Sequence, residues 1–93
     1  MKHYNIRVLG KVQGVYFRAS TKMEAERLGI NGFVQNEVDG SVYIEAEGST
    51  EQLKQLLAWC KIGSPISEVE SVRFEETTVV DFQMFEIRRT RSG

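Results

Sequence analysis

This 93-residue chain has one cysteine, one histidine and almost no surplus of either charge. A lone thiol, Cys60, cannot form an internal disulfide, so a reducing, cytoplasmic compartment is expected. Cys60 falls on an apolar helical stripe and reads as a buried structural thiol, because nothing nearby in the pattern would activate it. His3, close to the N-terminus, reads as a solvated strand residue, which leaves the domain without a histidine base. Metal-ligand spacing is missing, so a zinc or magnesium hydrolase is disfavoured and no cofactor is expected. Long apolar runs are missing too. The start, Met1-Lys2-His3-Tyr4-Asn5-Ile6-Arg7, lacks the apolar core of a signal peptide, and no segment is suited to span a bilayer, so no membrane partner is expected. A net charge of −1 argues against generic nucleic-acid binding, which needs an excess of Lys and Arg.

What is present suits one soluble domain over residues 1–93, large enough for a two-layer core and expected to be a monomer. Tyr4, Ile6 and Val8 alternate with Asn5 and Arg7, the period of a half-buried strand. Phe17, Thr21, Ala25 and Leu28 then form one helical stripe, which Gly29 ends. A strand from Ile30 to about Glu37 leads into the turn Val38-Asp39-Gly40-Ser41, and Val42, Ile44 and Ala46 carry the returning strand. Ser49 and Gln52 read as a capping box for a helix lined by Leu53, Leu56, Leu57 and Cys60, with Gly63 and Pro65 ending it. A further strand is expected over Glu68–Glu76. Val69 sits in one parity, Val72 and Phe74 in the other, so its register stays open. Phe85 and Ile87 suggest a short last strand, followed by a frayed tail from Thr90 to Gly93. Glu45, Glu47, Glu75 and Glu76 read as solvated strand faces, and Trp59 and Tyr43 as partly exposed packing.

The order βαββαβ plus a short extra strand predicts an α+β ferredoxin-like two-layer sandwich, an antiparallel sheet of four to five strands with both helices on one face. In that topology strands one and two run parallel with strand three between them. The end of strand two, at Asn36, then shares a sheet edge with the segment Leu9-Gly10-Lys11-Val12-Gln13-Gly14-Val15-Tyr16-Phe17-Arg18. Val34 and Asn36 lie on one strand face, which directs Asn36 toward the helices. The glycines let backbone N–H groups converge, the helix start adds positive dipole, and Arg18 adds a fork of donors, so an anion suits this corner. Each residue also has an ordinary explanation: a tight connection for Gly10 and Gly14, an exposed first-turn Arg18, an Asn36 bonding its own backbone. Their combination favours a site. A non-catalytic anion-binding module is the main alternative, and an RNA-recognition domain the weaker one, since the central strands lack clustered basic and aromatic residues.

The segment from Leu9 to Arg18 resembles the first signature of the acylphosphatase family, and Gly32-Phe33-Val34-Gln35-Asn36, followed by Gly40, Val42 and Gly48, resembles its second. The resemblance implies an enzyme that hydrolyses the carboxyl–phosphate bond of acyl phosphates, a small-molecule substrate, with inorganic phosphate and other anions as competing ligands. It implies that the loop of Gln13, Gly14, Val15, Tyr16, Phe17 and Arg18 cradles the phosphate, that Arg18 binds its oxygens, and that Asn36 holds the attacking water. Gln35 stands where many members carry a base, and Glu37 where a small hydroxyl residue is common, placing a carboxylate beside the expected water site. Members often end in an aromatic residue near Ile87; Arg88, Arg89 and a polar tail follow here.

Overall fold

The computed structural model describes residues 1–89, and the expected frayed tail at 90–93 lies outside them. The elements run β1 (Lys2–Lys11), α1 (Phe17–Leu28), β2 (Asn31–Asn36), β3 (Val42–Gly48), α2 (Thr50–Ile62), β4 (Glu68–Thr77) and β5 (Phe85–Arg88). They form one sheet in the order β4-β1-β3-β2-β5. The pairings among the first four strands are all antiparallel, while β5 pairs parallel to β2. The expected ferredoxin-like sandwich is therefore present, with a sheet made mixed by its last strand.

Alternation decides which strand face becomes core. Tyr4, Ile6 and Val8 pair across with Ala46, Ile44 and Val42, and all six are buried against Phe17, Ala25, Leu53, Leu56 and Cys60 of the two helices. Burial pushes the Cys60 thiol pKa up to about 12, consistent with a packing role. Gly29 ends α1, its N–H reaching the carbonyls of Ala25 and Glu26. At α2 the capping box forms as expected: Ser49 Oγ accepts from Gln52 N at 3.1 Å, and Ser49 N donates to Gln52 Oε1 at 2.8 Å. The open register of β4 has a simple cause. Leu9 pairs with Ser71 and Gly10 with Val69, so Glu70 is an extra residue and the parity of apolar positions flips across it.

The opposite face departs from the sequence reading. His3 and Glu47, expected to be solvated, are 1% and 2% exposed and face each other across β1 and β3. The loop between β4 and β5 folds over them, setting Phe82 against His3 and Phe33, with ring centroids 5.7 and 5.8 Å apart. Strand alternation placed this pair opposite the helices correctly; a covering loop from far along the chain was not legible in it. Glu75 and Glu76 are exposed as expected.

His3 Nδ1 lies 2.7 Å from Glu47 Oε2, and its Nε2 faces Asn5 Oδ1 at 2.8 Å and Glu45 Oε1 at 3.1 Å. Acceptors on both ring nitrogens select the doubly protonated imidazolium. Burial by itself would lower the His3 pKa, but the hydrogen bonds to Glu47 and Asn5 and the charges of Glu45 and Glu47 hold it above its ordinary 6.5. Burial would likewise raise the Glu47 pKa, yet His3 and the backbone N–H groups of Val80 and Phe82 hold it below its ordinary 4.5. A raised histidine stabilises the fold below its unfolded pKa and loses that contribution as pH rises through the folded one; a depressed carboxylate loses its contribution as pH falls through its own. The stability difference between wild type and His3→Gln, measured by chemical denaturation, is therefore expected to be greatest between the two ordinary values, pH 4.5 to 6.5, and to shrink on either side. A difference that keeps growing above pH 6.5 would contradict the charged pair.

Candidate active site

The first signature divides between two jobs. Gly10 belongs to β1, at the bulge against β4, and not to the connecting loop. Its φ is +131°, and a Cβ there would lie 2.2 Å from Glu68 O and 2.6 Å from Glu70 N, so its part is close strand approach. Past Lys11, Val12 drops into the core at 1% exposure. Gln13 turns its amide inward, and Nε2 donates to the carbonyls of Glu37 and Ser41, both at 2.8 Å. That ties the loop to the β2–β3 turn. Val15 is buried, and its carbonyl accepts from Ser64 Oγ at 2.7 Å, which ties the other side of the loop to the end of α2. Gly14 and Tyr16 take left-handed conformations, with φ of 71° and 60°, and α1 begins at Phe17.

The two helix starts contrast. α2 has its box and Glu51 in the first turn; α1 has neither a side-chain cap nor an acidic residue there. Its first main-chain bond runs from Ser20 N to Tyr16 O, so the N–H groups of Phe17, Arg18 and Ala19 have no acceptor within the helix. A helix start with free amides and no negative side chain suits an anion from outside.

These amides open on a cleft of about 360 Å³ lined by Val12, Gly14, Tyr16, Phe17, Arg18, Ala19, Asn36 and Ile87. Arg18 is half-buried at its edge, and Nη1 donates to the backbone carbonyl of Arg88 at 3.3 Å. Among the described residues no carboxylate pairs with it. Asn36 pairs with Val42 on the helix face of the sheet, as its parity required. Its Oδ1 is buried and accepts no hydrogen bond from any described residue, although buried amide oxygens are nearly always satisfied.

Of the expected phosphate-binding loop, Gly14, Tyr16, Phe17 and Arg18 line the cleft together with Asn36, while the Gln13 side chain and the Val15 carbonyl brace the loop from outside it. Val12, Ala19 and Ile87 complete the wall and were not singled out as site residues. Ile87 follows from the register, since it pairs with Val34, which shares its strand face with Asn36. The expectation that Glu37 stands beside the water site is corrected. Glu37 alternates away from Asn36 to the helix-free face, where it accepts from Gln35 Nε2 at 2.7 Å and lies 3.8 Å from Arg7.

The chain matches the Acylphosphatase family model over residues 4–87. It is 49% identical over 88 residues to an acylphosphatase of Bacillus licheniformis, covering 94% of this chain and 98% of that protein. It superposes on the crystal structure of acylphosphatase from Bacillus subtilis with a TM-score of 0.92 at 38% identity, over 95% of this chain and 99% of that one. An acylphosphatase structure from Coxiella burnetii aligns with a TM-score of 0.91 at 37% identity, over 94% and 92% of the two chains.

The two signature glycines should separate by experiment. No atom lies within 4 Å of a Cβ built on Gly14, so Gly14→Ala meets only the strain of a left-handed φ, about 1 kcal/mol. Gly10→Ala drives a methyl group into β4 backbone and should cost about 3 kcal/mol or more. Thermal unfolding should find Gly10→Ala the far less stable variant; the reverse order would contradict this division.

Proposed function

The chain belongs to the acylphosphatase family, and from that we propose that Arg18 and the amides of loop 13–18 hold the phosphoryl group of an acyl phosphate while Asn36 positions the water that attacks it. The observation that carries this reading is the juxtaposition of two opposite deficits on one cleft. Among the described residues, free N–H donors and a guanidinium without a carboxylate partner line one side, and a buried acceptor without a donor, Asn36 Oδ1, lines the other. A phosphoryl group answers the donors; a water molecule answers the acceptor.

Phosphoryl transfer depends mainly on positioning and on stabilising charge over the equatorial oxygens. Arg18 presents planar, permanently charged donors for them, and the amides at the start of α1 add fixed dipoles that need no reorganisation. Water donates one hydrogen to Asn36 Oδ1, while Asn36 Nδ2 is available to the phosphoryl oxygens, so one side chain sets both partners for in-line approach. An amide is too weak a base to deprotonate water. The bound phosphoryl group takes that proton itself, and the P–O bond to the acyl oxygen breaks. The leaving group departs as a carboxylate, which needs no proton from the enzyme, so a general acid is unnecessary. Inorganic phosphate, the product, competes for the same donors. We further infer a monomer acting in the cytoplasm, where a buried reduced thiol such as Cys60 is at home.

The test is phosphate release from acetyl phosphate, with phosphate binding measured separately by calorimetry. Asn36→Ala should lose turnover while keeping phosphate affinity. Arg18→Ala should lose turnover and weaken phosphate binding to the residual affinity carried by the amides, with kcat/KM falling about 100- to 1,000-fold. Turnover should persist in EDTA, because the charge stabilisation invoked is that of Arg18 and the amides. Equal, slow hydrolysis by all three proteins, with phosphate still bound, would instead indicate a binding module.

A further inference from the structure

We propose that Glu47, on the sheet face away from the cleft, is a positioning residue for Arg18, acting through the β4–β5 loop and β5; this rests on the role of Arg18 proposed above. Its carboxylate is buried and accepts four hydrogen bonds. Three come from consecutive backbone N–H groups: Val80 and Asp81 to Oε2, the latter at 3.2 Å, and Phe82 to Oε1 at 2.8 Å. His3 Nδ1 supplies the fourth. Asp81 takes a left-handed φ of 72°, which turns the three N–H groups toward one centre, a backbone nest closed on a carboxylate of the same chain. Burying a carboxylate is expensive, and an apolar side chain would fill the same space. What the carboxylate adds is direction: it fixes where residues 80–82 sit on the sheet.

That placement works together with two aromatic anchors, Phe82 packed on His3 and Phe33 and Phe85 buried in the core, and it fixes the stretch before them. Val79, Val80 and Met84 are 39%, 61% and 61% exposed, and their packing does not anchor the loop. Besides the nest, Asn31 Nδ2 donates to Phe82 O at 3.0 Å and Gly32 N to Met84 O at 2.9 Å. From Phe85 the chain enters β5, a four-residue edge strand paired, among the described residues, only with β2. A slip of one residue there would reverse which side chains face the cleft. In the observed register Ile87 walls the cleft and the Arg88 carbonyl receives Arg18 Nη1. The Arg88 guanidinium lies 3.8 Å over the Phe33 ring, and Phe33 packs on Phe82, so the helix-free face braces the same register. Glu47 thus reaches Arg18 through one strand whose register both ends of the connection require.

The experiment compares wild type with Glu47→Gln, which keeps size but places an NH₂ in the nest, and with Asn31→Ala, which removes the second tie and leaves the buried carboxylate satisfied. Both are assayed with acetyl phosphate, and phosphate Kd is measured by calorimetry, well below each protein's unfolding midpoint. We expect KM and phosphate Kd to rise roughly three- to tenfold while kcat stays within about twofold. On an Arg18→Ala background neither substitution should weaken phosphate further, since the residue they act through is gone. A purely structural role would lower Tm and the active fraction, reducing kcat with KM and Kd unchanged; that result in both variants would overturn the proposal. So would an equal loss of phosphate affinity with Arg18 present and absent. Wild type that binds phosphate but fails to hydrolyse acetyl phosphate would defeat the functional reading, and the Kd comparisons would still judge Glu47.

Discussion

The position of β3 between β1 and β2, antiparallel to both, is the constraint on which the site depends. It makes β1 and β2 run the same way, so the loop leaving β1 and the last residue of β2 arrive at one edge of the sheet. A hairpin between consecutive strands would have sent them to opposite edges. Arg18 and Asn36 are eighteen residues apart in sequence and belong to different elements, yet the crossover brings both to one cleft. The alternation of β2 does the rest, turning Asn36 to the helix side and Gln35 and Glu37 to the other.

Within that frame the local chemistry is asymmetric. Ser49 and Gln52 close the start of α2 with their own side chains, whereas the start of α1 keeps its amides for the cleft. Arg18 stands at a helix end where the dipole disfavours a cation, and its Nη1 donates to the Arg88 carbonyl. An anion between the amides and the guanidinium relieves both conditions at once. The stable parts, Gln13 tied to the hairpin turn and Val15 tied to Ser64, hold the loop so that little ordering remains to be done when substrate enters.

The helix-free face shows how a second layer of constraint can hide in an ordinary strand. Glu45 and Glu47, like Glu75 and Glu76, are carboxylates within strands, and all four read as solvent-facing. Glu47 is instead buried with His3 under the loop that carries Phe82. Burial of a charge is tolerated there because four donors converge on it, three of them backbone groups whose convergence has no sequence signature. The parallel pairing of β5 has the same origin. Phe85 and Ile87 announced a strand, but the side of the sheet it joins follows from where the covering loop delivers it.

The sequence by itself determined the elements, their order, the face that β1, β2 and β3 give to the core, and the meeting of Arg18 with Asn36. All of these follow from periodicity, capping residues and the limited ways a βαββαβ chain can wind. Tertiary structure alone decided that Gly10 serves a β-bulge and Gly14 the cleft, because only the neighbouring strand reveals the clash a Cβ would meet. It decided that His3 and Glu47 are an enclosed ion pair, and that a backbone carbonyl in the last strand holds the arginine. Those outcomes depend on contacts between residues far apart in the chain and on main-chain atoms every residue shares, and neither leaves a mark in the pattern of side chains.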